Sequence, residues 1–170
     1  MDLTDKIRVI EDFPKEGIEF KDITTLLKDI EAYQHAIDQF VERYQDCDID
    51  RIIGIESRGF LIGAPLALEL GISFVPARKE GKLPAEVVQA EYDLEYGTST
   101  LELHCDAIEK GDEVLIVDDL LATGGTVKAA TELVERLDGE VVELAFLLEL
   151  SFLEGRDELT DYDIYSVIIE

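Results

Sequence analysis

An α/β fold, with a mostly parallel central sheet flanked by helices, is predicted by three features of this sequence. Short apolar runs bounded by turn residues recur at 51–55, 72–75, 114–117 and 141–147. Helix-length segments separate them, which is the arrangement that joins parallel strands. The run at 114–117, VLIV, shows no polar alternation, as expected of a strand covered on both faces. A chain of 170 residues with 46% hydrophobic content supplies one ordinary core, so residues 1–170 are expected to form a single domain.

In chain order, residues 4–10 and 30–43 have helical periodicity and flank a loop, FPKEGIEFKDIT. The strand at 51–55 is followed by a helix over 60–70, despite Pro65, and by a strand at 72–75. Residues 78–100 break the alternation with glycines, a proline and charges. Within and after that stretch, Val88, Ala90, Tyr92, Leu94 and Tyr96 alternate with polar residues, as do Leu101, Leu103 and Cys105 beyond the GTST turn. That pattern is a two-stranded β-ribbon closing a long loop, and excursions of this length are commonly lids or binding loops. The strand at 114–117, a helix over 127–137 and a strand at 141–147 after Gly139 complete the series.

Composition excludes several functions. Forty acidic residues against 15 basic ones leave a net charge of −25, which argues against nucleic-acid binding. The charge fits either adaptation to a salty cytoplasm or simply a solvated acidic surface, with the second weighted higher. Acids interrupt the first dozen residues, unlike a signal peptide, and the longest apolar run, 60–68, is too short to span a bilayer. Cys47 and Cys105 form no CxxC pair and fit a reducing cytoplasm. His35 and His104 have no clustered partners, so both are read as structural and no protein metal cage is expected.

The informative stretch is VLIVDDLLATGGT, from Val114 to Thr126. Ligands of open α/β sheets bind beyond the carboxyl ends of strands, where Asp118 and Asp119 are expected. The turn of Ala122, Thr123, Gly124, Gly125 and Thr126 then presents backbone N–H groups at a helix start, a cradle for phosphate. Both glycines are expected to let the backbone approach an anion and adopt positive φ. The loop is neither a Walker A nor a dinucleotide fingerprint. Adjacent carboxylates repel phosphate but accept hydroxyl hydrogen bonds and suit Mg²⁺. Together the features suggest a sugar phosphate, with the phosphate on the turn and a diol on the acids. GIESRGF likewise ends a strand, and Arg58 with Gly59 there can hold a second anion, the alternative being an Arg58–Glu56 pair. Arg78, Lys79 and Lys82 cluster in a chain poor in bases.

The central motif resembles the phosphoribosyl-pyrophosphate motif of type I phosphoribosyltransferases. FPKEGIEFKDIT, GIESRGFLIGAPLA, RKEGKLP, YDLEYGTSTLELH and the tail FLEGRDEL extend the resemblance nearly end to end, most nearly to the adenine-using branch. Glu16 stands where many members have proline and Lys21 where many have arginine. The resemblance implies a purine-salvage enzyme that makes AMP and pyrophosphate from adenine and phosphoribosyl pyrophosphate, with Mg²⁺ carried mainly by that substrate. It implies an N-terminal base-binding hood within residues 1–30, where Glu19, Phe20 and Lys21 hold the purine, and a flexible lid at 78–100. Arg58, in a loop that often carries a cis peptide, and Arg78, Lys79 and Lys82 of the lid would bind pyrophosphate. Glu95 would handle the proton of the base, Tyr96 would shape the closed lid, and a base from the lid reaching a neighbouring site implies a homodimer. Two rival readings are transfer to another base, such as hypoxanthine or xanthine, and a non-enzymatic sensor of the sugar phosphate. The second would need a nucleic-acid-binding face, for which the chain has neither length nor basic surface.

Overall fold

In the computed structural model, residues 1–94 and 97–170 are described. The strands are β1 (Arg8–Ile10), β2 (Phe20–Asp22), β3 (Arg51–Ile55), β4 (Ser73–Lys79), β5 (Val87–Leu94), β6 (Gly97–His104), β7 (Glu113–Leu121), β8 (Glu140–Glu149) and β9 (Ile164–Ile169). The helices are α1 (Thr24–Lys28), α2 (Ile30–Tyr44), α3 (Arg58–Leu70) and α4 (Gly125–Arg136), with short 3₁₀ turns at Thr4–Lys6, Ser151–Leu153 and Gly155–Glu158. Strands β3 to β9 form one seven-stranded sheet in the order β5-β6-β4-β3-β7-β8-β9, and β1 and β2 form a separate two-stranded sheet. The β4-β3-β7-β8-β9 portion is parallel, and β5 and β6 add an antiparallel edge. The expected α/β architecture is therefore the one found.

The uninterrupted apolar run of β7 is explained by its position between β3 and β8. Its Leu115 and Val117 face a core shared with Phe40 of α2 and Ile62 and Leu66 of α3. Val114 and Ile116 face the other side, with Leu133 and Val134 of α4. Each face is sealed by a helix layer, so no polar residue is tolerated on either. Helix α2 starts at Asp29, whose Oδ1 accepts from the N–H groups of Glu31 and Ala32 at 3.2 and 3.3 Å. Helix α3 accommodates Pro65 because the carbonyl of Leu61, four residues back, accepts instead from the Tyr33 hydroxyl of α2. No helix among the described residues is long and apolar enough to cross a membrane.

Four expectations are corrected. Residues 4–10 are not a helix: Leu3 and Ile7 are buried four apart, which mimics helical periodicity, but the chain then extends to pair Arg8, Val9 and Ile10 with Asp22, Lys21 and Phe20. The same pairing turns the end of the expected loop FPKEGIEFKDIT into β2. The run at 114–117 continues to Leu121, since β8 stays paired as far as Leu121↔Glu149 although β3 leaves at Gly54↔Val117. The ribbon is not a detached excursion. Its base joins the sheet through Arg78↔Glu102 and Lys79↔Leu101, and Ala90, Leu101 and Leu103 are buried against α4. Strand β9 had no expectation at all.

Candidate active site

The acids lie within β7, just past the point where β3 ends. That early end of β3 opens a notch, and the first turn of α3 fills its floor. Gly59 packs there so closely that a Cβ would stand 2.8 Å from Asp118 Oδ1 and 2.9 Å from the Val117 carbonyl. Asp118 Oδ1 accepts from the Asp119 N–H at 2.8 Å. Asp119 is buried, and its Oδ2 meets Arg58 Nε at 2.8 Å. Burial and the charge of Asp119 beside it hold the Asp118 carboxyl well above the usual carboxylate range. Burial also raises Asp119, opposed by the Arg58 guanidinium. A raised carboxyl pair of this kind lacks sufficient counter-charge and suits hydroxyl donors or a cation.

Beyond the acids, Ala122, Thr123, Gly124, Gly125 and Thr126 line a small cavity of about 80 Å³ together with Asp118. Gly124 caps α4 with φ 90°, while Gly125 has no positive φ, so only one of the two glycines serves the conformation expected of both. A Cβ on Gly124 would stand 2.7 Å from the Gly155 carbonyl. Gly155, in turn, has the Ala122 carbonyl against its own Cα. Those two glycines let the cradle and the FLEGRDEL segment pass at backbone distance. Gly155 carries no chemistry of its own, and sequence reading assigned it none.

The turn after β3 contains a cis peptide between Glu56 and Ser57. Arg58 does not pair with Glu56. Instead Glu56 Oε2 accepts from the Lys79 N–H at 2.9 Å and from Arg78 Nε at 3.2 Å, tying the end of β4 to this turn. Despite its burial, those donors hold the Glu56 carboxyl below its ordinary value. Arg58 is consequently no free cation but the partner of Asp119, and its guanidinium also lies 5.4 Å from the centroid of the Phe20 ring. Phe13 packs edge-on against the same ring at 5.2 Å. Phe20, Arg58, Asp119 and the cradle thus converge on one end of the sheet. Lys79 and Lys82 are exposed near Arg78, and Glu19 is exposed beside Phe20. Lys21 points away from Phe20 and pairs with Glu170, a partner no motif signalled. Glu95 and Tyr96 lie outside the described residues. Among the described residues no three His, Cys, Asp or Glu side chains converge as a metal cage.

Comparison with known proteins matches this geometry. The family model for the phosphoribosyl transferase domain fits residues 22–169. Adenine phosphoribosyltransferase of Halothermothrix orenii is 58% identical over 170 residues, covering all of both chains. The crystal structure of adenine phosphoribosyltransferase from Thermoanaerobacter pseudethanolicus superposes with a TM-score of 0.96 at 54% identity, over 99% of this chain and 98% of that one. The Saccharomyces cerevisiae enzyme, solved with an imino-altritol bisphosphate and adenine, gives 0.92 at 43% identity, over 97% and 96% of the two chains. With the paired acids, the glycine-capped cradle and the Arg58–Phe20 contact at one end of such a sheet, the chain belongs to the phosphoribosyl transferase domain family and, within it, to the adenine phosphoribosyltransferases.

Proposed function

We propose that the protein transfers the phosphoribosyl group of phosphoribosyl pyrophosphate to adenine, giving AMP and pyrophosphate in purine salvage. The observation that carries this reading is the Asp119–Arg58–Phe20 chain of contacts, which joins a diol-binding acid pair, an anion-binding arginine and a purine-stacking ring. In the proposed complex the cradle of Ala122, Thr123, Gly124, Gly125 and Thr126 holds the 5′-phosphate. Asp118 and Asp119 accept hydrogen bonds from the ribose hydroxyls. Arg58, Arg78, Lys79 and Lys82 take the pyrophosphate, stabilising the charge that accumulates on it as the C1 bond breaks and the sugar becomes oxocarbenium-like. Mg²⁺, carried mainly by the substrate, would neutralise part of that charge, and Asp118 and Asp119 are the carboxylates that would adjoin it. Phe20 stacks on the purine, and backbone groups of Glu19 and Lys21 read its edge. Glu95 manages the proton of the base, and the ribbon over residues 78–100 closes to exclude water from the reactive carbon.

A homodimer is part of the proposal. Leu61, Ala64, Pro65 and Leu68 follow the i, i+3, i+4, i+7 spacing along one side of α3, and Leu61 and Leu68 are 43% and 84% exposed. Tyr33 of α2 adjoins that stripe through its hydroxyl on the Leu61 carbonyl, and Ile30 of α2 is exposed. A cytoplasmic location accords with the exposed free thiols of Cys47 and Cys105. The decisive test is purine consumption, base by base, with phosphoribosyl pyrophosphate and Mg²⁺. Adenine should be preferred over hypoxanthine by several hundredfold or more, because hypoxanthine inverts the donor and acceptor at N1 and C6, and each unmatched buried group costs roughly 1–3 kcal/mol. Comparable kcat/KM for the two bases would overturn the adenine assignment.

A further inference from the structure

Strands β1 and β2 have three residues each, a sheet too small to hold its own position in water. Contacts with the rest of the chain must therefore set its orientation. Leu3, Ile7, Ile23 and Leu26, flanking the strands, share a core with Leu150 and Ile168 and anchor the ends of the sheet. Asp22, the buried last residue of β2, ties the strand to Arg8 of β1 at 2.5 Å and to the Thr24 N–H at 2.9 Å, contacts within the hood itself, and the two preceding side chains connect β2 to the rest of the molecule. Consecutive side chains of an extended strand leave on opposite faces. On one face Phe20 meets Arg58, whose guanidinium is fixed to Asp119 of the central sheet. On the opposite face Lys21 Nζ lies 2.5 Å from Glu170 Oε2, with the two side chains only 11% and 24% exposed. Glu170 is itself rigidly held next to β9. Its N–H donates to the Glu149 carbonyl at 2.9 Å, and its carbonyl accepts from Ser151 N at 2.7 Å and Ser151 Oγ at 2.6 Å.

We infer that Glu170 is a positioning residue for the purine pocket. By holding Lys21 from behind, it sets the angle at which the Phe20 ring and the adjoining backbone face the base. The inference rests on the proposed placement of the purine against β2. An ammonium this enclosed needs a counter-charge to stay where it is. Without the carboxylate it turns toward water. The strand turns with it, because Val9↔Lys21 pairing makes the two strands move together. The phosphate cradle and the acid pair belong to β7 and α4 and do not depend on this contact.

The test is Glu170→Gln, which keeps shape and removes charge. We expect the adenine KM to rise about fivefold or more, as for loss of a charge-assisted hydrogen bond, with kcat and the phosphoribosyl pyrophosphate KM within about twofold. Lys21→Gln should give the same pattern, and the double variant should be no worse than the worse single one, since both break one interaction. Amide exchange measured on the same proteins should quicken over residues 18–22 and stay unchanged in β7, whichever base is used. An unchanged adenine KM in Glu170→Gln would overturn the inference. So would additive effects in the double variant, or a parallel rise in both KM values with a lower Tm, which would mark a merely structural contact. If the unmodified protein prefers another purine, the proposed function fails on that result, and the positioning role is then read on the KM of the preferred base.

Discussion

Gly59→Ala is the substitution whose outcome follows most directly from the geometry. The added methyl would lie 2.8 Å from Asp118 Oδ1, 2.9 Å from the Val117 carbonyl and 3.2 Å from Asp118 Cα. All three atoms belong to β7, where Val117 is paired with both Gly54 and Ala145 and Asp118 with Phe146 of β8, so the strand has little room to retreat. The first turn of α3 must lift instead, carrying Arg58 off Asp119. Overpacking of this kind costs about 1–3 kcal/mol. The better helix propensity of alanine returns at most about 1 kcal/mol. With the full return credited, the net loss is about 0–2 kcal/mol, a fall in Tm of up to roughly 8 °C for a chain of this size. Misplacement of the acid pair and arginine should lower kcat/KM by about tenfold or more. Gly63→Ala, one turn later, is the internal control. Its methyl meets first a Phe74 ring atom at 3.1 Å and then Gly54 Cα at 3.4 Å, and the ring can yield. Calorimetry and steady-state rates on both variants decide the matter. Wild-type Tm and kcat/KM in Gly59→Ala, or an equal loss in Gly63→Ala, would refute the reasoning.

Three further outcomes are expected. Gly124→Ala combines a φ of 90° with a 2.7 Å approach to the Gly155 carbonyl, so AMP binding in titration calorimetry should be lost; retained affinity would place the 5′-phosphate elsewhere. Because the Asp118 carboxyl is raised in the folded protein, the folded state binds more protons than the unfolded one above the ordinary carboxylate value, about 4, and stability falls as pH rises through that window. Asp118→Asn should therefore raise the neutral-pH Tm and flatten its pH dependence while lowering kcat/KM; an unchanged Tm profile would show that the acid pair carries no such cost. If the charge of −25 reflects salt adaptation, Tm should climb steadily from low to molar KCl, whereas a flat or falling Tm would favour an ordinary solvated surface.

The parts of this fold legible in the sequence are those where one residue pattern has one physical reading. The β7 run could only be a strand covered on both faces, and Gly-Gly-Thr after two acids could only sit at a strand-to-helix turn. Residues 4–10 misled because Leu3 and Ile7 satisfy a helical period while β2, which decides the matter, lies more than ten residues away and is itself three residues long. Strand β9 was missed because its residues are mostly half-buried and carry no flanking turn signal stronger than their neighbours. In the site, residue types were readable but pairings were not. Arg58 answers to Asp119 and Arg78 to Glu56, and both choices depend on where β3 ends relative to β7 and β4. Gly155 and Glu170 act through backbone proximity and one ion pair, for which a single sequence holds no signal.

Those pairings bear on how so acidic a protein can take up a polyanion. An arginine left bare at the site would have to give up water to bind pyrophosphate, and an acid pair left bare would repel it. In this structure each instead holds the other, Arg58 against Asp119, in a notch from which Asp119 is scarcely exposed. In the proposed complex the exchange is of partners: Arg58 passes from carboxylate to phosphate, and Asp119 from guanidinium to ribose hydroxyl. Asp119 is desolvated already, with its side chain 6% exposed, so the cost of drying that carboxylate falls on folding and not on binding, whereas Arg58 is only partly dried. Asp118 is raised more strongly than Asp119, first by burial and then by the like charge of Asp119, because the Arg58 guanidinium sits against Asp119 and offsets less of the cost at Asp118. The same exchange releases the Arg58 guanidinium from its place over Phe20, so the ring face it occupies becomes available to the purine when the sugar phosphate is already seated.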